Sequence, residues 1–138
     1  MGRQKKLFLG NLDSKRDWGH ARDYVEAMWK ILQQKKPDDY VIATGKQLSI
    51  RKFINLVSKK LNMHIMWRGK GLNEKGFDAN TSKNIIMIDK NYIRPLDVNT
   101  LLGNASKARK KLSWKPKTNI NELIEEMISE EVNILNVE

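Results

Sequence analysis

Short apolar runs alternate with amphipathic stretches along this chain, and that alternation places it in the mixed α/β class. Compact runs at residues 7–9, 40–43 and 84–89 predict strands, and residues 64–67 predict a fourth. Strands that alternate with helices usually form a parallel sheet of about five or more strands. Only three or four short strands are found here, the first at the very start, so the pattern predicts part of a larger fold.

Four stretches have the apolar spacing of helices, at residues 19–34, after Ser49 as an N-cap, at 105–112, and after Thr118 or Asn119. The first carries apolar side chains at i, i+3, i+4 and i+7, namely Val25, Met28, Trp29 and Leu32. The inward faces of the second and last helices are expected to hold Ile50, Phe53, Ile54, Val57 and Leu61, and Ile120, Leu123, Ile124, Met127 and Ile128. Residues 68–83 contain several glycines and few apolar residues, and predict a loop.

The net charge of +10 is unevenly distributed along the chain. All 26 Lys and Arg lie in the first 117 residues, which carry +16, whereas the last 21 carry −6. A basic body indicates an anionic partner such as nucleic acid, a nucleotide or another phosphate, and the alternative is a surface of solvated lysines. Without cysteine there is no disulfide scaffold and no thiolate site. No apolar run approaches the roughly 20 residues of a membrane span, and none is a signal-peptide core, which predicts a cytoplasmic protein.

The usual catalytic motifs are missing from the sequence. It contains no GxGxxG or GxxxxGK[ST] phosphate loop, no HExxH and no GxSxG. The two histidines, His20 and His64, are too few for a histidine metal site and are expected to be structural. No nucleophile is paired with a base at a recognisable spacing, so the residues by themselves indicate binding and not catalysis.

Two arginines have the surroundings of phosphate ligands. Arg16 lies between Asp13 and Asp17, where one carboxylate can hold the guanidinium while it reaches a phosphate. A surface salt bridge is the alternative for this residue. Arg94 precedes Pro95, which stiffens its backbone, and Asp97 follows three residues later with a carboxylate suited to two sugar hydroxyls. An arginine for a diphosphate beside an acid for a ribose predicts a nucleotide clamp.

At these residues the chain resembles a known family. Residues 7–45 read LFLGNLDSKRDWGHARDYVEAMWKILQQKKPDDYVIATG, which closely resembles the GDP-mannose 4,6-dehydratases, members of the extended short-chain dehydrogenases/reductases. The resemblance resumes in SIRKF (49–53), GLNEKG (71–76), YIRPLDV (92–98) and LLGNASKARKKLSWKPK (101–117). It therefore covers most of the chain.

The resemblance implies the C-terminal substrate-binding part of an extended short-chain dehydrogenase/reductase with an incomplete Rossmann domain. The family's glycine-rich NADP loop, its Tyr-x-x-x-Lys pair and its dehydrating Thr and Glu are not found, since Tyr24, Tyr40 and Tyr92 are not followed by Lys at the fourth position. The chain alone is therefore expected to be inactive and to bind no NADP. Residues 18–45 are expected to pack on the missing Rossmann half. A separate polypeptide that supplies this half is one explanation, and a truncated gene or an expressed fragment are the alternatives.

What the resemblance transfers is the nucleotide-sugar end of the site. It implies that Arg16 and Arg94 contact the diphosphate of GDP or GDP-mannose, and that Asp97, where relatives have Glu, faces the ribose. Asn11 is a candidate contact on the base or sugar side. In the intact family enzyme NADP oxidises C4 of mannose, water is lost across C5 and C6, and hydride returns to C6. No catalytic, cofactor or metal residue is assigned to this chain.

Two other functions stay open at this point. A basic nucleic-acid-binding module is supported by clusters such as KARKK at residues 107–111, but Trp18, Trp29, Trp67 and Trp114 are expected at core or hinge positions and not on a stacking platform. The other alternative is a remnant without function. No membrane partner is expected.

Overall fold

The computed structural model of the protein describes residues 4–96 and 98–137. Within these ranges the strands are β1 Leu7–Leu9, β2 Lys15–Asp17, β3 Gln47–Ser49, β4 Ile65–Arg68, β5 Lys75–Asp78 and β6 Asn84–Ile88. The helices are α1 Ala21–Leu32, α2 Ile50–Lys60, α3 Ser106–Leu112 and α4 Ile120–Val137, with 3-10 turns at Gly71–Asn73 and Lys90–Tyr92. The α/β class and all four predicted helices are confirmed.

The larger sheet has the order β1-β6-β5-β4 and is mixed, not parallel as predicted. β1 pairs with β6 in parallel, whereas β4, β5 and β6 pair antiparallel. Short connections join these three strands, and such connections return the chain antiparallel to itself. The parallel partner of β1 arrives only after the intervening helices, as a crossover requires.

A second sheet pairs β2 with β3 antiparallel, with Lys15 opposite Ser49. Both strands are polar, so a search for apolar runs missed them. Ser49 ends β3 and also caps α2, because its side chain accepts a hydrogen bond from the Lys52 amide at 3.2 Å. The predicted N-cap is confirmed.

The loop predicted at residues 68–83 is wrong. This stretch contains the end of β4, a 3-10 turn and the whole of β5. Gly76 suggested a loop, but it lies within β5. A Cβ at this position would lie 3.0 Å from Cβ of Ile86 and 3.1 Å from Cζ3 of Trp67. Glycine is required here by the close packing of large neighbours across the sheet, and not by a turn.

The strand predicted at residues 40–43 is also wrong. In the described part of the chain this segment has no ladder partner, and a strand exists only where a neighbour pairs with its backbone. It packs through side chains instead. Ala43 is buried, and a Cβ at Gly103 would lie 2.4 Å from its methyl group.

The core between α1 and α3 is built of small residues around one large one. Its buried members are Ala27, Ala43, Ala105, Ala108, Leu112 and Trp114. The indole of Trp114 donates from Nε1 to the Asp23 carbonyl at 2.8 Å, and the Asp23 carboxylate accepts from the amides of Lys117 and Thr118. These bonds join α1, α3 and the start of α4, where Asn119 caps the helix by accepting from the Glu122 amide.

The apolar stripe of α1 faces outward. Val25, Met28, Trp29 and Leu32 keep 60–80% of their surface exposed, so the expectation of a core or hinge position is wrong for Trp29. Leu61 and Met127, predicted to face inward, are also about half exposed, because each lies on the edge of its helix face. Across the described residues no helix has the length and apolar character of a membrane span.

The side chain of Asn84, at the start of β6, leads to a prediction about stability that can be tested by mutation. Both polar atoms of its side-chain amide are buried, and neither has a hydrogen-bond partner among the described residues. An unsatisfied buried amide costs about 1–3 kcal/mol. We expect Asn84→Val to raise the free energy of unfolding by about 1–2 kcal/mol, measured by urea denaturation. Asn84→Asp, of the same shape, should lower it, and a valine variant no more stable than the parent would contradict the assignment.

A second test concerns Asp78, at the end of β5. Its carboxylate accepts from the Thr81 hydroxyl at 2.7 Å and from the Asn80 amide at 3.1 Å, and these bonds hold its pKa below the ordinary value. A depressed carboxyl pKa adds stability above the unfolded pKa, about 4, and that stability is lost as pH falls through the folded pKa. A carbon-13 titration of the carboxyl should show Thr81→Ala returning this pKa toward normal, and an unchanged pKa would exclude the Thr81 bond as its cause.

Candidate functional site

One segment, described at residues 92–96 and 98–101, runs from the 3-10 turn that follows β6 past the end of β1 and the start of β2. It starts against Gly10, where a Cβ would lie only 2.3 Å from the Tyr92 carbonyl oxygen, so no other residue fits. Further on, the Lys15 amide donates to the Asn99 carbonyl at 2.8 Å, and the Leu101 amide donates to the Lys15 carbonyl at 3.3 Å. The two strand ends therefore hold this segment between them, and we call it the bridging segment.

Arg16 is fixed on the bridging segment by carbonyl oxygens. Its Nη1 donates to the carbonyls of Lys15 and Val98, both at 2.8 Å. The expected support from Asp13 or Asp17 is not what the structure shows, since the carboxylates of both residues bond to other groups. The guanidinium is half-buried and brings its charge to the point where β2 meets the segment.

Asp17 organises the turn next to Arg16. Its Oδ1 accepts from the amide and the hydroxyl of Thr44, at 2.9 and 2.7 Å, and its Oδ2 accepts from the Gly45 amide at 2.8 Å. Three hydrogen bonds to one carboxylate fix its orientation. The residue after Arg16 thus anchors β2 to the turn that leads into β3, a role that its sequence position alone did not indicate.

Asp13 serves a different cluster, around Arg51. The guanidinium of Arg51 donates to both oxygens of Asp13, at 3.0 and 3.2 Å, and to Glu74 at 2.5 Å, and it lies 4.9 Å from the ring centroid of Trp67. The hydrogen bond that Arg51 donates to Glu74, and after it the one donated to Asp13, raises the pKa of Arg51 above its already high ordinary value. This pairing ties the segment after β1 to α2 and β5.

Asn11 faces the bridging segment from the other side. Its Oδ1 accepts from the Asp13 amide at 3.0 Å, which closes a tight turn after β1. Its Nδ2 lies 3.5 Å from Oδ1 of Asn99, a long and weak contact. Asn99 was not singled out in the sequence, and no motif there indicates it. Asn11 and Arg16 therefore approach neighbouring residues of one segment.

Arg94 lies near the start of the bridging segment and is exposed. Its side chain forms no hydrogen bond or ion pair with another described residue. Val98 is four positions further along the chain, a span of at most about 14 Å. Asp97, the expected ribose ligand, lies outside the described residues. The structure thus places Asn11, Arg16 and Arg94 along one segment, without bringing the Arg94 guanidinium into contact with the other two.

A cavity of about 250 Å³ opens beside this arrangement. Asn11, Asp13 and Glu74 form its polar lining, and Leu72, Ile88 and Ile93 are among its apolar lining. A larger cavity of about 550 Å³, between Trp18 and the start of α4, contains none of the predicted site residues. The smaller cavity is the better candidate because Asn11 lines it and Ile93 is the neighbour of Arg94.

The guanidinium of Arg16 is a cation and hydrogen-bond donor, and the side-chain amide of Asn11 is a donor and acceptor, so these groups have the chemistry to bind an anion. No cluster of three or more metal-ligating side chains occurs in the described residues. His20 accepts the Arg22 amide at Nδ1, at 3.0 Å, and its Nε2 lies 3.1 Å from Glu126, so it caps α1 and joins it to α4. Its predicted structural role is confirmed.

Comparison with known proteins decides the family. The sequence model of the family described as GDP-mannose 4,6 dehydratase matches residues 1–127. The chain belongs to the GDP-mannose 4,6-dehydratase family. It is 48% identical over 134 residues to GDP-mannose 4,6 dehydratase of Dictyostelium discoideum, a match that covers 97% of this chain and 38% of the relative. The human GDP-mannose 4,6 dehydratase is 44% identical, with 98% and 36% covered.

Solved structures confirm the fold class. UDP-glucose 4-epimerase from Thermotoga maritima superposes with a TM-score of 0.70 at 17% identity, covering 94% of this chain and 36% of that one. dTDP-glucose 4,6-dehydratase from Bacillus anthracis gives 0.66 at 20% identity, covering 91% and 34%. These are extended short-chain dehydrogenases/reductases, so this dehydratase-family chain has part of that fold. It spans little more than a third of the length of the relatives it matches.

Proposed function

We propose that this chain is the GDP-sugar-binding part of a GDP-mannose 4,6-dehydratase, which converts GDP-mannose into GDP-4-keto-6-deoxymannose. The observation that carries the proposal is the bridging segment, on which Arg16 and Asn11 converge and near whose start Arg94 lies. In a member of this family, the two arginines would contact the diphosphate. Asp97 would face the ribose, and Asn11 would face the base or sugar at the adjoining cavity.

The physical fit is that of a positioning site. Arg16 is held by carbonyl oxygens, so its charge is preorganised, whereas the exposed Arg94 can close on a bound phosphate. The cavity offers apolar side chains to the face of a base and polar ones to its edge. Holding GDP in this way fixes the attached hexose in place, so that binding energy far from the reacting carbons assists the reaction.

NADP does not fit the residues described in this chain. A dinucleotide loop places glycines between a strand and a helix so that a diphosphate can approach the backbone. Here Gly10 follows β1, but the space above that glycine is taken by the Tyr92 carbonyl, and the next element is a strand, not a helix. We therefore assign NADP and the redox steps to a separate polypeptide and derive no step through the cofactor.

That polypeptide is proposed to pack on residues 18–45. The support is the exposed stripe of α1 together with Val41, which is also more than half exposed. Apolar surface of this kind marks a protein interface in a soluble chain. A cytoplasmic location remains a prediction of the sequence.

The test is a GDP titration of the nitrogen-15-labelled chain, followed by amide NMR. We expect shifts at Asn11, at Arg16 and along the bridging segment, and smaller ones with inorganic pyrophosphate, which lacks the base and ribose. Incubation of the chain with GDP-mannose and NADP should give no turnover. Absence of any shift with GDP would overturn the proposed GDP-binding role. Turnover by the chain alone would overturn the assignment of NADP and the redox steps to a separate polypeptide.

A further inference from the structure

The four-stranded sheet has an outer face formed by six residues. Pairing across the strands sets Phe8 beside Met87, Met87 beside Lys75 and Lys75 beside Arg68, and it sets Met66 beside Phe77. Residues in register share one face of a sheet. We call the set Phe8, Met66, Arg68, Lys75, Phe77 and Met87 the outer sheet face.

The opposite face is the one that α2 covers. Trp67 donates from Nε1 to the Asn55 side chain at 3.0 Å, and Arg51 lies over its ring. Because side chains alternate along a strand, Met66 and Arg68 point away from α2. Phe8 keeps 43% of its surface exposed and Met66 keeps 38%.

The sequence of β6 indicates that a protein layer belongs on this face. Its residues are apolar on both sides, with Ile86 directed toward the covered face and Met87 toward the outer one. Strands that are apolar on both faces, and that have a parallel neighbour as β6 has in β1, are typical of sheets covered on both sides.

The charges on the outer sheet face are all positive. The Arg68 guanidinium lies 5.1 Å from the ring centroid of Phe77, and Lys75 adjoins it in register. The one acidic residue of these strands is Asp78, which is buried and bonded to Asn80 and Thr81. An apolar centre with a cationic border is complementary to an apolar stripe flanked by carboxylates.

We infer that the outer sheet face binds an amphipathic helix of another polypeptide, with Asp and Glu beside its apolar stripe. A second copy that presented the same face would set Arg68 and Lys75 against like charges, and like-charge contacts oppose association. The phosphates of a single nucleic-acid strand would pair with Arg68 and Lys75. They would leave the apolar side chains of β6 uncovered, whereas a strand that is apolar on both faces is typically covered by protein on both sides. This surface lies on other elements than the α1 stripe and does not depend on GDP.

The probe is a model peptide of about 18 residues, five helical turns, with a leucine stripe flanked by Glu, compared with the same peptide carrying Lys. The labelled chain is titrated to about 1 mM peptide and its amides are followed by NMR. We expect shifts at Phe8, Phe77 and Met87, and binding about fivefold tighter for the Glu peptide, from two exposed charge pairs. If the amide signals of the free chain are poorly dispersed and become dispersed only when the Glu peptide is added, that result also supports the inference.

Charge reversal makes the test specific. Arg68→Glu with Lys75→Glu should invert the preference in favour of the Lys peptide, whereas Lys35→Glu with Lys36→Glu, on exposed residues beyond α1, should leave it unchanged. No shift with either peptide, shifts centred on Val25 and Trp29, or dimerisation of the free chain would each overturn the inference. So would a dT oligonucleotide that binds the same amides more tightly than the Glu peptide in about 0.2 M salt.

Discussion

Replacing Trp114 by alanine is expected to lower the free energy of unfolding by about 3–5 kcal/mol, a large share of the roughly 5–15 kcal/mol that stabilises an ordinary domain. The indole is 1% exposed and fills the space between the small side chains of α1 and α3. Its loss leaves a cavity that alanines cannot close, and it removes the hydrogen bond to the Asp23 carbonyl. Urea denaturation followed by circular dichroism measures the change.

The matched control is Trp29→Ala, which removes the same side chain from an exposed site. Because Trp29 is 61% exposed, we expect a change within about 0.5 kcal/mol and better solubility. A Trp114 variant as stable as the Trp29 variant would show that this cluster is not the core. A strongly destabilised Trp29 variant would show that the α1 stripe is covered in solution.

Replacing Arg94 by alanine is expected to weaken GDP binding by about 10- to 100-fold. Hydrogen bonds between an arginine and a phosphate are charge-assisted and contribute about 1.5–3 kcal/mol each. Arg94 is exposed and supports no other described residue, so the fold should be unaffected. Calorimetry or NMR titration gives the dissociation constant, and Lys36→Ala is the control for loss of one surface charge.

Arg16→Ala should have two effects where Arg94→Ala has one. It removes a charge from the proposed diphosphate site, and it also removes the hydrogen bond to the Val98 carbonyl that joins the bridging segment to β2. We therefore expect amide shifts along the bridging segment even without GDP. If both variants bound GDP like the parent, the proposed diphosphate contacts would be wrong. If Arg16→Ala alone lost binding, Arg94 would have no share in it.

The helices could be predicted from the sequence because their apolar spacing and caps are local. Ser49 and Asn119 cap as expected, since a capping hydrogen bond reaches only two or three residues along the chain. The strands β2, β3 and β5 could not be predicted. Apart from Leu48 and Phe77 their residues are polar or glycine, so they contain no apolar run, and β2 and β3 pair across 30 or more residues, as Lys15 opposite Ser49 shows.

The candidate site likewise combines residues that could be predicted from the sequence with supporting contacts that could not. Arg16 was predicted from its neighbouring carboxylates and from the family resemblance, Asn11 from the resemblance alone, and in the structure both contact the bridging segment. Their supports were missed: the carbonyl of Val98, the amide of Asn99, and the bonds from Asp17 to Thr44 and Gly45. Backbone carbonyls leave no mark in a sequence, and a contact across more than 80 residues has no local pattern.

The parallel pairing of β1 with β6 has a consequence for the order in which the protein folds. Leu7 lies beside Ile86, so β1 leaves the ribosome well before its partner β6 and cannot pair with it until the residues between them have been made. Pairings between residues so distant in sequence are slow to form, because a long loop must close first. The bridging segment comes later still. During synthesis the first strand and the stripe of α1 therefore remain uncovered together, and that interval is when the nascent chain is most open to aggregation or to capture by a partner.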